Sequence, residues 1–214
     1  MPTITPSGTI QHSAVNSQTS NFEELNARIW QAFEQAPLDP SDPFRAPVLG
    51  TASSCCCALR TVILRKAAAS ERILGCYSDS RAPKISQIQI NPHVQWLFYR
   101  PEERIQIIAR ATAAVHHMDS VARAAWDNTL LEHRLNYSSV FAPGSEISAP
   151  DSIALLHRGG RPPAPKELDR AFANFAVIVT TVEHLDFLRL NLDGNRRAAF
   201  TWNGTSFKGS WLAA

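Results

Sequence analysis

From residue 48 to residue 212 the sequence is a succession of short β-forming runs, each bounded by small, polar or turn-forming residues. Strands this short are stable only when paired, so they must collect into a sheet that shares one core. The signals fall at 48–52, 58–65, 73–77, 94–99, 105–115, 175–182, 185–190, 197–202 and 206–212. Arg100-Pro101-Glu102-Glu103, the stretch 66–71, Asp193-Gly194 and Asn203-Gly204 supply hairpin-type turns. Helical spacing is confined to a few places. Phe22, Leu25, Ile29, Ala32 and Phe33 recur at that period behind an Asn21 cap, with Glu23 and Glu24 in the first turn. A short helix is expected over 84–90 behind Pro83, a longer one over 119–135, and a helical piece over 153–157 inside the Gly/Pro/Ser-rich loop 143–165. Residues 1–20 read as a flexible arm, and 21–214 as a single domain. Many strands with few helices suggest a closed antiparallel barrel with peripheral helices, a mostly β (α+β) fold.

A chain of 214 residues with 44% hydrophobic and 19% charged residues can bury a core of that kind. Its net charge of +2 gives no general attraction to nucleic acid or to an anionic membrane. No apolar run approaches the ~18 residues needed to cross a bilayer. Residues 1–20 have neither a basic start nor an apolar centre, so no signal peptide and a cytoplasmic location are expected. Cys55, Cys56 and Cys57 are contiguous. Neighbours on a strand point to opposite faces, so three in a row do not close around one ion, and no metal site is expected. His116 and His117 are separated by the same alternation.

Chemistry concentrates in Arg60-Thr61-Val62-Ile63-Leu64-Arg65 and in Tyr77-Ser78-Asp79-Ser80-Arg81-Ala82-Pro83-Lys84. The second segment ends a strand and enters a helix, bringing hydroxyls, backbone N–H groups and two cations within a few positions. Those are the parts that hold a phosphate. The competing reading is a solvated turn whose cations serve solubility. Asp79 beside Arg81 reads as an orienting ion pair. Lysine is scarce here, four against seventeen arginines, so Lys84 is the rarer choice. No Gly-rich dinucleotide loop, P-loop or nucleophile–base pair is legible, and no catalytic residue can be named.

The block 60–115 resembles the FMN-binding split barrel of the pyridoxamine 5'-phosphate oxidase-like superfamily. The marks are the Arg-x-Val-x-Leu-Arg strand, the Tyr77-Ser78-Asp79 strand end, the cationic helix start and Asn91-Pro92 before the next strand. Ser78-Asp79-Ser80-Arg81 with Lys84, the run Arg196-Arg197-Ala198-Ala199-Phe200 and Trp211-Leu212 resemble an FMN-binding oxidase-related branch. The resemblance implies an antiparallel split β-barrel, FMN as cofactor and a homodimer with FMN at the interface. It implies that Arg60, Thr61, Val62 and Ile63 line the flavin, and that Arg60, Ser78, Arg81 and Lys84 hold its phosphate beside Tyr77. Arg65 stands where the oxidases hold the substrate's phosphate. The glutamine they place near the ring aligns with Arg104, and Gln106 lies two residues on, so either is a candidate. His133, Arg134 and Tyr137 are candidates to approach the ring in a dimer. Where the oxidases carry Arg-x-His-x-Arg, this chain has Asn195, Arg197 and Ala199, which implies a different substrate.

Two functions follow from the resemblance: an FMN-dependent oxidoreductase, or a module that binds FMN or another ligand without turnover. A protein that has lost its ligand would have no reason to keep Arg60, Ser78, Arg81 and Lys84 in register.

Overall fold

The computed structural model describes residues 11–52, 56–149 and 165–214. Its frame is one antiparallel sheet of nine strands: β1 (Val48–Ala52), β2 (Cys57–Thr61), β3 (Leu64–Ala68), β4 (Ile73–Asp79), β5 (His93–Arg100), β6 (Ile105–His117), β7 (Phe175–Arg189), β8 (Arg196–Trp202) and β9 (Phe207–Leu212). The main path runs β2-β1-β5-β6-β7-β4-β3, with β8 and β9 added beside β7. The first half of β7 pairs with β4 and the second half with β8, while β6 covers its other edge throughout. Around the sheet lie α1 (Gln11–Gln35), α2 (Pro83–Ile90), α3 (Ser120–Asp127), α4 (Leu131–Arg134) and α5 (Pro165–Asn174).

Closure is the first point on which the structure differs from the sequence pattern. The sheet is split rather than closed: β2 and β3 are adjacent in the chain yet form its two opposite ends. The single strand expected over 58–65 is therefore two strands. Thr61 is the last residue of β2 to pair, with Val48. The next partner would be Pro47, which has no N–H to give, and only the Val62 N–H to Pro47 carbonyl bond remains, at 3.0 Å. Freed from β1, the chain turns through Val62 and Ile63 and takes up β4 as a new partner at Leu64.

Other boundaries moved as well. The runs 175–182 and 185–190 are one strand, β7, carried past the register shift at Arg110/Ala111 of β6. Helix α1 begins at Gln11, so Asn21 lies within it; residues 1–10 lie outside the described residues. The span 119–135 divides into α3, capped by the Asp119 carboxylate accepting from the Ala122 N–H at 2.8 Å, and the short α4. Helix α5 had no clear sequence signal, and the expected helical piece at 153–157 lies outside the described residues.

The core lies between the inner face of the sheet and α1. Ile29, Trp30 and Phe33 of α1 meet Leu49, Trp96, Phe98, Ile107 and Phe200, and the Phe33 and Phe98 rings are 4.4 Å apart. The Trp96 indole N–H stays satisfied inside it, donating to Thr180 Oγ1 at 3.0 Å, whose hydroxyl donates to the Leu74 carbonyl at 2.8 Å. A second cluster of Ala122, Trp126, Ala171, Phe175 and Val177 seats α3 and α5 on the sheet. No helix among the described residues is long and apolar enough to cross a membrane.

Candidate functional site

The split brings one basic group from each side of the barrel into a single corner. Arg60 comes from the free end of β2, Ser78 from the end of β4, and Lys84 from the first turn of α2. The local sequence builds the approach. Asp79 closes a turn by accepting from the Arg81 N–H at 2.8 Å, its carbonyl accepts from the Ala82 N–H, and Pro83 starts the helix where no N–H is needed. Lys84 Nζ then reaches the buried Ser78 hydroxyl at 3.1 Å. Arg60 donates to the Leu49 carbonyl at 3.1 Å, to Thr51 Oγ1 at 2.6 Å and to Gln87 Oε1 at 3.1 Å. Thr51 in turn donates to Gln87 Oε1 at 2.6 Å.

Electrostatically this corner is short of negative charge. Burial holds the Lys84 ammonium below its ordinary pKa, and the Arg60 guanidinium nearby pushes the same way. Arg60 is lowered too, mainly by burial. The Cys76 thiol beneath them is fully buried and pushed up to about 12, so it stays neutral despite the two cations. The carboxylate that acts on Lys84 from nearby, Asp79, is already taken by Arg81 at 2.7 Å.

Arg81 is therefore occupied. Besides gripping Asp79 it donates to the carbonyls of Ser139, Val140 and Phe141, fastening that loop to the end of β4. The ion pair read from the sequence is present. The same contacts turn the guanidinium toward the loop, whereas Lys84 turns toward Ser78.

Arg65 and Tyr77 stand together elsewhere, with the guanidinium 5.5 Å from the ring centroid. Both line a cavity of about 550 Å3 between α3 and the β3–β4–β7 face, with Val121, Ala124, Val177 and Val179. A smaller cavity of about 260 Å3 shares Arg65 and Tyr77 and adds Arg45, Leu130 and His133. Arg134 points away, donating to the Thr129 and Asp127 carbonyls. Tyr137 packs on Phe175 with ring centroids 5.0 Å apart, and burial raises its pKa.

Of the remaining candidates, Val62 faces the core, while Thr61 and Ile63 are exposed on the edge of the split. Arg104 and Gln106 are not brought to the corner of their own chain. Ser78 is level with Ala176 and His117, and Gln106 lies eleven residues back along β6, about 35 Å at ~3.3 Å per residue. Arg104, with φ of 50°, closes the β5–β6 turn by donating to the Pro101 carbonyl. Sequence reasoning missed Thr51 and Gln87. Nothing in their local pattern marks them, although Gln87 falls one helical turn after Lys84 and so shares its face. His116 is hydrogen-bonded to Asp119 and His117 to the Ala173 carbonyl, and among the described residues no three His, Cys, Asp or Glu side chains gather as a metal site.

The stretch holding this corner also matches a known family. Residues 27–117 match the family model of the pyridoxamine 5'-phosphate oxidase FMN-binding domain. That segment, somewhat under half of the chain, is similar to the FMN-binding domain of the pyridoxamine 5'-phosphate oxidases. Among solved structures it is similar to a pyridoxamine 5'-phosphate oxidase-related, FMN-binding protein from Nostoc punctiforme, at 20% identity over 88% of this chain and 96% of that one, with a TM-score of 0.71. It is also similar to PhzG from Burkholderia lata, solved with tetrahydrophenazine-1-carboxylic acid, at 18% identity over 91% of each chain and a TM-score of 0.64. At these identities the likeness establishes the fold alone, a split barrel. No curated protein matches the chain. The family match contains Arg60, Ser78, Lys84, Thr51 and Gln87 and stops at His117, so α3 to β9 lie outside it.

Proposed function

We propose that this protein binds FMN with the phosphate in the Arg60–Ser78–Lys84 corner and works as an FMN-dependent oxidoreductase on a substrate other than pyridoxamine phosphate. One observation carries the reading. Two half-buried cations from opposite sides of the split lie in one corner, Lys84 on the buried Ser78 hydroxyl and Arg60 on the buried Thr51 hydroxyl, and neither has a carboxylate partner among the described residues. Leaving charges in that state is costly unless an anion completes the set. A phosphate fits the donors, an ammonium and a guanidinium near the start of a helix, while the Ser78 hydroxyl gives its proton to the Asp79 carbonyl and holds Lys84.

In this arrangement Lys84 and Arg60 bind the phosphate and Ser78 orients Lys84. The open edge of the split at Thr61, Val62 and Ile63 offers main-chain groups to the ring, and Arg65 with Tyr77 lines the adjoining cavity. FMN supplies hydride and single-electron transfer when bound. On β8, the outward Arg197 is held by Asp186 at 2.7 and 3.0 Å and Ala199 carries no donor, which argues for a substrate unlike the oxidases' own. A second copy of the chain, seated on the outer face of β2, β1, β5 and β6, completes the site.

The test is titration of the protein with FMN and with riboflavin, followed by addition of NADH or NADPH to the loaded protein. Tighter binding of FMN than of riboflavin, with bleaching of the flavin absorbance, is the expected result. Binding without reduction by either nucleotide would favour the non-catalytic module. Equal affinity for the two flavins would remove the phosphate corner from the reading.

A further inference from the structure

Arg60 differs from the ion-paired arginines Arg81, Arg100 and Arg197 in what holds it. Arg81 is tied to Asp79, Arg100 to Asp42 and Glu103, and Arg197 to Asp186. Arg60 is gripped by three neutral acceptors: a main-chain carbonyl, a hydroxyl and the side-chain amide of Gln87. A carboxylate would hold a guanidinium more firmly, and would also cancel the charge that an incoming anion needs. We propose that Gln87 is a positioning residue for the anion site, fixing Arg60 through its amide oxygen while leaving the guanidinium's charge available. This inference rests on the FMN reading above.

The network determines how it must work. Thr51 Oγ1 accepts from Arg60, and its one proton goes to Gln87 Oε1 at 2.6 Å rather than to the Ala58 carbonyl at 3.5 Å. Gln87 Oε1 thus faces two donors, Thr51 and Arg60, and only the oxygen can face them. The amide orientation is set without ambiguity by its partners. Gln87 sits on α2 three residues beyond Lys84, so the helix that delivers one cation also aligns the other. The named bonds use three of the five guanidinium N–H groups. That leaves donor capacity in a side chain whose direction is fixed. Fixing it in advance removes part of the ordering cost that phosphate binding would otherwise carry.

Two substitutions separate geometry from charge. Gln87→Met removes the acceptor at similar size, and Gln87→Glu keeps the acceptor but pairs the guanidinium with a carboxylate. Affinities for FMN and riboflavin are measured for each, alone and with Arg60→Met. The NMR signals of the Arg60 guanidinium protons are recorded in parallel without flavin. Both single variants should weaken FMN by roughly tenfold and leave riboflavin nearly unchanged. Both effects should vanish once Arg60 is methionine, because Gln87 acts through it. The guanidinium signals should broaden or exchange faster in Gln87→Met and stay sharp in Gln87→Glu. Equal losses for both flavins, full additivity with Arg60→Met, or unchanged Arg60 signals in Gln87→Met would overturn the proposal. Should the unsubstituted protein not prefer FMN over riboflavin, the FMN reading falls, and the guanidinium signals still decide whether Gln87 positions Arg60.

Discussion

A half-buried lysine that lacks a carboxylate is a cost the free protein carries for its ligand, and Lys84 is the clearest case in this chain. Lys84→Met should weaken FMN by about ten- to a hundredfold, the worth of one charge-assisted hydrogen bond, and leave riboflavin little changed. The same substitution should raise the melting temperature of the flavin-free protein, because it removes the desolvated charge. The pH dependence has a definite sign. The folded pKa of Lys84 is depressed below its ordinary 10.5, so between those two values the unfolded chain holds the extra proton. The penalty is present in full below the folded pKa and fades as pH rises through it towards 10.5. The advantage of Lys84→Met should therefore be largest near neutral pH and shrink in alkaline melts; an advantage that grew with pH would contradict this account. Arg81→Ala should behave differently. It releases Asp79 and the 139–141 loop together, so losses for FMN and riboflavin should be alike, with a drop in melting temperature. In the sequence Lys84 and Arg81 both follow the Ser78 strand end, and the scarcity of lysine favours Lys84. What distinguishes them is whether an acid lies within reach of each, and that depends on side-chain direction.

Among the elements, α1 and the last hairpin approach closely at Gly209. A Cβ placed on Gly209 of β9 would lie 2.5 Å from Phe22 Cγ and 2.7 Å from Phe22 Cβ. Those atoms are close to the α1 backbone, so the helix itself would have to move. Gly209→Ala should cost about 1–3 kcal/mol, read as a lower urea midpoint with an unchanged slope; no change would mean that α1 is not seated on β9. The glycine looked unremarkable in sequence, because its requirement is set by a ring nearly two hundred residues away. The strands themselves were largely legible, since β-branched residues and turn dipeptides are local signals. The run 48–52 matches β1 in full. What the pattern could not carry was partnership. Nothing in 58–65 says that the run must change partners midway; that follows from Pro47, the residue just before the neighbouring strand β1. Likewise 175–190 reads as two strands until β6 is seen to be long enough to pair with all of it. The anion corner was half legible for the same reason. Arg60, Ser78 and Lys84 stand out as charged or strand-end residues, while Thr51 and Gln87 gain meaning only when the split brings β1 and α2 to Arg60.

At the scale of the whole molecule, the outer face of the sheet remains to be accounted for. Ile107 and Ala109 of β6 point into the core, as one face of that apolar run must, and Ile108 points out. Register aligns it with Leu97, Val48 and Thr61 in a row across β5, β1 and β2. With Leu59, 67% exposed, Ile108, Leu97 and Val48 border an apolar groove of about 500 Å3. An open strand edge at β2 and an uncovered apolar face are features that proteins usually shield. A two-fold partner would shield both, since a closed dimer uses the same patch twice. It would also explain Gln106, which faces outward from β6 far from its own chain's corner. If dimerisation completes the FMN site, the two equilibria are linked: FMN must tighten the dimer by the factor by which dimerisation tightens FMN. Leu59→Glu tests this without disturbing the core, because the side chain is largely in solvent. Two carboxylates brought near the two-fold axis, or one buried against the apolar groove, should raise the dimer dissociation constant by roughly tenfold or more. FMN affinity at fixed protein concentration should then fall and recover as protein is added. Sedimentation of the unsubstituted and Leu59→Glu proteins across a dilution series, with and without FMN, measures both sides of the linkage. A monomer that holds FMN as tightly as the concentrated protein would show that one chain completes the site alone.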